Sequence, residues 1–166
     1  MTHWLRYTDG RRVHTVSGDL RVSHAMHSPQ LNNTRDVLIY LPTSYWTSSK
    51  RYPVIYMHDG QNLFDAHTSY AGEWGVDETM EALARDDIEA IVVGLPNLGS
   101  ARISEYNPYP SPRFRNANGD SYIHFISDTL KPIVDRDYRT KPEAESTGVF
   151  GSSMGGLISL YAWLAY

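Results

Sequence analysis

The chain has 166 residues, a length that suits one domain with a substantial hydrophobic core. Apolar residues make up 41% and charged residues 20%, which is typical of a globular protein and excludes a disordered one. The formal net charge of −4, with no basic run longer than Arg11-Arg12, argues against a nucleic-acid partner. Because the chain has no cysteine, disulfides and thiolate metal sites are excluded too.

The sequence shows no targeting or membrane segment. Residues 1–6 lack the apolar stretch of a secretory signal, and no apolar run approaches the length that spans a bilayer. We therefore expect a cytoplasmic protein with no membrane partner. No cofactor motif is present, and we expect none to be bound.

The amino-terminal region predicts antiparallel strands. Turn signals at residues 8–11 and 17–20 flank a short strand at residues 13–16. Residues 20–26 then alternate between apolar and polar side chains, as in a half-buried strand. Residues 35–41 form a stronger strand that Pro42 closes.

Further along the chain, the pattern changes to buried strands that alternate with helices. The continuous apolar runs at residues 54–57 and 91–93 are typical of strands covered on both faces. An amphipathic helix is predicted at residues 74–85. The long polar loop at residues 95–119 exceeds what a compact domain needs for a connection, which favours a functional or mobile segment.

The last third of the chain predicts helix, strand and helix. Asp120 or Ser121 can cap a helix that runs to residue 130, and Pro132 is expected to bend or restart it. A strand at residues 147–150 follows. The alternation predicts one α/β domain over residues 1–166, with a mostly parallel sheet, antiparallel amino-terminal strands and flanking helices.

The pattern Gly-x-Ser-x-Gly at residues 151–155 lies between that strand and an apolar helical segment. This context places Ser153 at a tight strand-to-helix turn, above the carboxyl ends of the strands, where α/β proteins bind ligands. Ser153 is therefore the candidate nucleophile. The backbone N–H of Met154, at the start of the helix, is a natural donor to an oxyanion. The alternative is a glycine-rich turn that serves only close packing.

A second loop follows the strand at residues 54–57. Its sequence, His58-Asp59-Gly60-Gln61, can direct a backbone N–H at the same oxyanion. A metal-dependent phosphoesterase is another interpretation, since His58, Asp59, Asp65 and His67 are possible ligands within ten residues. No further cluster supports it, and we expect no metal.

Two other groups have simple structural interpretations. Arg102 and Glu105 lie three residues apart in the long loop, and we expect them to pair and to hold that loop in place. His124 is expected to be a packing or solvent-facing residue of its helix.

A family resemblance rests on five segments in order, which are residues 56–65 (YMHDGQNLFD), 74–77 (WGVD), 93–97 (VGLPN), 102–108 (RISEYNP) and 151–156 (GSSMGG). Together they resemble the esterase family of the α/β-hydrolase superfamily, the branch with enterochelin esterase-like and feruloyl esterase-like proteins. The resemblance covers about residues 35 to 166. It implies a serine carboxylesterase that acts on small acyl esters, with Ser153 as nucleophile and backbone donors at Met154 and Gln61.

The resemblance also implies an acid and a histidine after the nucleophile, and neither follows Ser153 in this sequence. We therefore expect a chain truncated after the nucleophile helix. The candidate bases that remain are His58, His67 and His124, acting within the chain or across a subunit boundary. The alternative function is a weak or inactive remnant that serves as a binding or assembly module.

Truncation at this point would leave the strand at residues 147–150 as an apolar edge of the sheet. Because unpaired edges and apolar faces favour association, we expect a homo-oligomer in which another chain covers this strand or the last helix.

Overall fold

The computed structural model describes residues 2–7 and 15–166. The turn predicted at residues 8–11 and the first half of the strand predicted at residues 13–16 lie outside these ranges. Thr15 and Val16 are described and belong to no strand, so the strand prediction is wrong for this half. The turn predicted at residues 17–20 gives way at Asp19 to the first long strand.

The described strands form one mixed sheet. They are β1 (Leu5–Arg6), β2 (Asp19–Ser28), β3 (Asn33–Leu41), β4 (Val54–His58), β5 (Ile91–Leu95) and β6 (Thr147–Phe150), in the spatial order β1-β2-β3-β5-β4-β6. β1, β2, β3 and β5 pair antiparallel in that order, whereas β4 pairs parallel with both β5 and β6. The predicted α/β class is confirmed, and the parallel part is confined to three strands.

The described helices are α1 (Val76–Leu83), α2 (Arg102–Glu105), α3 (Gly119–His124), α4 (Lys131–Asp137) and α5 (Met154–Ala165). Wider π-helical turns over Phe125–Leu130 lie between α3 and α4, and Pro132 falls in the first turn of α4, in agreement with the expected restart of the helix there. Proline fits there because the first turn of a helix does not need its missing N–H. None of the helices in these described ranges combines the length and the apolar character needed to cross a membrane.

The core has two layers, one on each face of the sheet. On one face, Tyr56 and Val93 pack with Phe125, Val134 and Ile158 of the later helices. On the other face, alternate strand residues pack with Met80 of α1. β4 and β5 are thus covered on both sides, which explains their continuous apolar sequences and confirms that prediction.

The start of α3 differs from the prediction. The helix begins at Gly119, with Asn118 as its N-cap. A Cβ at Gly119 would lie 2.7 Å from the backbone nitrogen of Pro108, so only glycine allows this close approach to the preceding loop. Asp120 instead accepts hydrogen bonds from the hydroxyls of Tyr161 and Tyr166.

The long loop at residues 95–119 is anchored in the interior. It contains α2, and Glu105 and Tyr106 are each 1% exposed. The predicted Arg102–Glu105 pair is wrong: Arg102 binds Asp59, and Glu105 binds Arg35. Each charge finds its partner in a different segment, since Asp59 directly follows β4 and Arg35 lies in β3.

Candidate active site

Ser153 occupies a strained turn between β6 and α5. Its backbone angles are φ 56° and ψ −120°, a conformation that side chains other than glycine rarely adopt. The residue is exposed at the end of the parallel strands. Strain of this kind persists only where the surrounding structure enforces it, so the turn presents the serine side chain to the outside at an energetic cost.

Glycines enforce this turn. A Cβ at Gly151 would lie 2.8 Å from the carbonyl carbon of Gly155 and 2.9 Å from Cδ2 of His58. A Cβ at Gly155 would lie 3.4 Å from Cβ of His58. The turn therefore rests directly on His58, the last residue of β4, which brings the two loops predicted from the sequence into contact.

The N–H of Met154 is available to a ligand. The N–H groups of the next three residues donate to Ser152 O and Ser153 O, at 2.8 to 3.2 Å. For the N–H of Met154, no acceptor occurs in the described part of the chain. As the first residue of a twelve-residue helix, Met154 also lies at the positive end of the helix dipole.

Gln61 lies in a 3-10 turn, Gly60–Asn62, directly after β4. Its side-chain Oε1 accepts a hydrogen bond from Asn97 N at 3.0 Å, and its carbonyl accepts one from Thr68 Oγ1 at 2.7 Å. These bonds hold the residue from both sides. The early N–H groups of such a turn have no partner within the turn itself, which suits the role predicted for Gln61.

Asp59 is the centre of a buried polar network. Nε and Nη2 of Arg102 donate to its two carboxylate oxygens at 2.7 and 2.8 Å, and Asn97 Nδ2 donates at 2.7 Å. Burial alone would raise the pKa of Asp59, but the bonds from Arg102 and Asn97 hold that pKa below its usual value. Asp59 is thus an ionised anchor that fixes the loop before Gln61.

His58 is buried beneath the serine turn and carries no charge at neutral pH. Burial in the interior lowers its pKa to about 4. Its Nδ1 lies 2.8 Å from the hydroxyl of Tyr122, and the rings of Tyr106 and Tyr122 pack against it. A group with so low a pKa is a weak general base, so the structure presents His58 chiefly as support for Gly151.

The other two candidate bases lie in different places, with His67 exposed and His124 partly buried. His67 belongs to the loop after Gln61, and the next residue, Thr68, bonds the Gln61 carbonyl. His124 pairs with Asp128 at 2.8 Å and packs against Tyr166. Tyr166 is thirteen residues after Ser153, about 20 Å along a helix, so the structure does not bring His124 to the serine.

The four residues of the alternative metal interpretation do not converge. The carboxylate of Asp59 accepts hydrogen bonds from Arg102, and Nδ1 of His58 lies beside the Tyr122 hydroxyl. Asp65 accepts hydrogen bonds from the Tyr7 hydroxyl and the His67 backbone N–H. Across residues 2–7 and 15–166, the group of acidic or histidine side chains close enough to share an ion is a different one, Glu73 with Asp77 and Glu78.

The side chains that support His58 and Asp59 from behind were not predicted from the sequence. Asn97 and Tyr106 hold Asp59 in place, and His58 is held by Tyr122. Its hydroxyl is the signal that could have indicated more, because a buried tyrosine hydroxyl needs a hydrogen-bond partner.

A mixed sheet whose last three strands are parallel, with helices on both faces and a serine in a strained strand-to-helix turn, is typical of the α/β-hydrolase class. Within this class, the chain belongs to the esterase family, since the family model described as "Putative esterase" matches residues 28–166.

Individual relatives agree with this assignment. Protein YbbA of Bacillus subtilis (strain 168), described as uncharacterized, is 32% identical over 141 residues, covering 80% of this chain and 52% of that protein. The IroE-like serine hydrolase from Shewanella oneidensis shares the fold with a TM-score of 0.69 at 24% identity, over 86% of this chain and 45% of that one.

The enterobactin esterase FES from Shigella flexneri, solved in the presence of enterobactin, has a TM-score of 0.64 at 22% identity, over 82% of this chain and 31% of that chain. At these identities, the solved structures establish the shared fold. The chain spans about half the length of the curated relatives that it matches.

Proposed function

We propose that this protein is a serine carboxylesterase that hydrolyses small acyl esters through an acyl-enzyme at Ser153. The observation that carries the proposal is the exposed serine at φ 56°, directly before a helix whose first N–H is free to bind a ligand. Family membership and the names of the solved neighbours support ester hydrolysis as the reaction class.

In the proposed reaction, Oγ of Ser153 attacks the ester carbonyl carbon while its proton passes to a base. The N–H groups of Met154 and Gln61 stabilise the negative oxygen of the tetrahedral intermediate. Collapse of the intermediate expels the alcohol and leaves an ester on Ser153, which water then hydrolyses. Of the candidate bases, His67 is exposed and adjoins the Gln61 loop, whereas His124 would act across a subunit boundary.

Covalent labelling with a fluorophosphonate tests the proposal. We expect stoichiometric labelling of the wild-type protein at Ser153, and none of the Ser153→Ala variant. The matched control is Ser152→Ala, since Ser152 is the adjacent exposed serine and bonds to the helix only through its backbone carbonyl. This variant is expected to label like the wild type.

Hydrolysis of p-nitrophenyl acetate provides the catalytic readout, because its good leaving group needs no general acid. Turnover that is unchanged in Ser153→Ala would contradict the proposed nucleophile. An unlabelled, folded wild-type protein would favour the alternative, a binding or assembly module. If the base contributes little, the oxyanion donors and substrate binding alone can still give a rate about 10³ to 10⁴ times that of the uncatalysed reaction in water.

We also propose that the protein forms a homo-oligomer through β6 and the outer face of α5. The apolar side chains of this surface are strongly exposed, and they are Phe150, Leu157, Leu160, Trp163, Leu164 and Tyr166. Among the described strands, β6 ends the sheet and pairs only with β4. A second copy fits this surface, because two identical edges can extend the sheet while their apolar helices cover each other.

Sedimentation velocity at micromolar concentration tests this association. We expect a dimer or larger assembly for the wild type and a monomer for Trp163→Lys, since Trp163 is 78% exposed on α5. Tyr70→Lys is the control, because Tyr70 is 92% exposed but lies in the loop after β4. A monodisperse wild-type monomer would refute the proposal.

A further inference from the structure

Three carboxylates gather at the start of α1, away from the serine turn. Glu73 precedes the helix, and Asp77 and Glu78 lie in its first turn. One oxygen from each side chain can be chosen so that all three lie within 4.8 Å of one another. The cluster therefore concentrates three formal negative charges in a space that one ion could fill.

Two oxygens of this cluster are buried and have no hydrogen-bond partner among residues 2–7 and 15–166. Asp77 is completely buried; its Oδ2 accepts a 2.6 Å bond from Ser17 N, while its Oδ1 accepts none. Glu73 repeats this arrangement, with Oε2 bonded to Thr15 Oγ1 at 2.7 Å and Oε1 buried without a partner. In Asp77 and Glu73 alike, one carboxylate oxygen accepts a hydrogen bond and the other accepts none from the described residues.

Helix capping does not account for this arrangement. Acidic residues in a first turn are favoured by the helix dipole, which explains Asp77 and Glu78 as residue types. The helix dipole does not explain why Glu73, which precedes the helix, lies beside Asp77 and Glu78. Nor does it explain why Glu73 Oε1 and Asp77 Oδ1 are buried without a hydrogen-bond donor among the described residues.

We propose that Glu73, Asp77 and Glu78 bind a calcium ion. The available ligands are all carboxylate oxygens, which hard cations prefer. Calcium–oxygen distances are about 2.4 Å, so two oxygens on one ion lie at most about 4.8 Å apart, the limit that these three satisfy. The flexible coordination of calcium, completed by water, suits an irregular set better than the strict octahedron of magnesium.

An ion at this position would fasten the loop that carries Gln61. The backbone N–H of Trp74 donates to Asn62 O at 2.8 Å, and that of Val76 donates to Leu63 O at 3.0 Å. These bonds tie the cluster to the residues directly after Gln61. Thr15 and Ser17, which hold the other carboxylate oxygens, would become part of the same fastened unit.

Terbium luminescence and thermal unfolding test the site without any assay of ester hydrolysis. Terbium replaces calcium at oxygen sites, and Trp74, next to Glu73, is placed to sensitise its emission. We expect emission that saturates at one ion per chain and is displaced by calcium. Calcium at 100 times its Kd is expected to raise the unfolding midpoint by about 5 to 10 °C over protein in EDTA.

Glu78→Gln is the principal variant because Glu78 is exposed and its replacement leaves the buried bonds intact. It is expected to weaken terbium binding at least tenfold and to remove most of the calcium shift, while Asp77→Asn removes both. Asp86→Asn, an exposed acid just beyond the other end of α1, is the matched control and should behave like the wild type.

A wild-type protein with no saturable terbium emission and no calcium shift would overturn the proposal. The same would follow if Glu78→Gln and Asp86→Asn lowered terbium binding equally, since the ion would then respond only to overall charge. If Glu78→Gln raises the midpoint in EDTA while the wild type ignores calcium, the cluster holds a proton and not a metal ion.

Discussion

Gly151→Ala is expected to abolish fluorophosphonate labelling of Ser153 and to destabilise the fold by about 1 to 3 kcal/mol. The added methyl group would lie 2.8 Å from the Gly155 carbonyl carbon and 2.9 Å from Cδ2 of His58. Backbone on one side and a buried ring on the other leave it no room. The turn must therefore open, and the serine with its helix N-terminus moves away from the Gln61 loop.

The control for this prediction is Gly148→Ala, three residues earlier in β6. A Cβ at Gly148 would meet only side-chain carbons of Ile55, at 4.0 Å, which is an ordinary contact. This variant should keep wild-type labelling. Labelling rates measured by intact-protein mass spectrometry, with unfolding followed in urea, separate the two outcomes. Normal labelling of Gly151→Ala would show that the turn does not depend on this close approach.

Glu105→Gln is expected to reduce the free energy of unfolding by about 3 to 5 kcal/mol. Glu105 Oε1 accepts a 2.7 Å bond from Arg35 Nη2, and the two side chains are 2% and 0% exposed. The neutral amide would leave the guanidinium charge buried without a counter-charge, between the rings of Tyr122 and Phe125. Since Tyr122 also bonds His58, the loss should reach the support of the serine turn.

A double-mutant cycle with Arg35→Met isolates this interaction. Because the second change removes the unpaired charge, the double variant should lose less stability than the sum of the single variants. Urea denaturation at 25 °C supplies the free energies of unfolding of the wild type, the two single variants and the double variant. Asp87→Asn, which removes a 3.9 Å pair between Lys50 and an aspartate that is 95% exposed, is the control and should leave stability nearly unchanged. Additive losses in the cycle would argue against a specific pair.

Local sequence patterns were sufficient to predict the central strands and the turn that carries Ser153. The runs at residues 54–57 and 91–93 predicted strands covered on both faces, which β4 and β5 are. The glycines around Ser153 predicted the turn, and its backbone angles agree with a nucleophile elbow. These features are predictable because hydrophobic periodicity and the conformational freedom of glycine act over a few neighbouring residues.

Charged residues were predicted less well. Arg102 and Glu105 have the spacing of a local pair, but each binds a residue of a distant segment, 43 or 70 positions away. The acids at residues 73–78 fit a helix start, and nothing nearby indicates that Asp77 is buried under residues 15–17. The spacing of charged residues in the sequence does not show which of them become buried on folding. A buried charge needs a partner of opposite charge, and burial therefore decides the pairing.

The strand-turn-helix at residues 147–165, and with it the exposed Ser153, was determined by the sequence, because each of its elements is specified by side chains within a few positions. The residues that pack against this turn were decided only by the tertiary structure. Parallel pairing of β4 with β6 puts His58 under Gly151. The environments of His58, Asp59 and Asp77 are long-range consequences of strand order and burial, which short-range patterns do not contain.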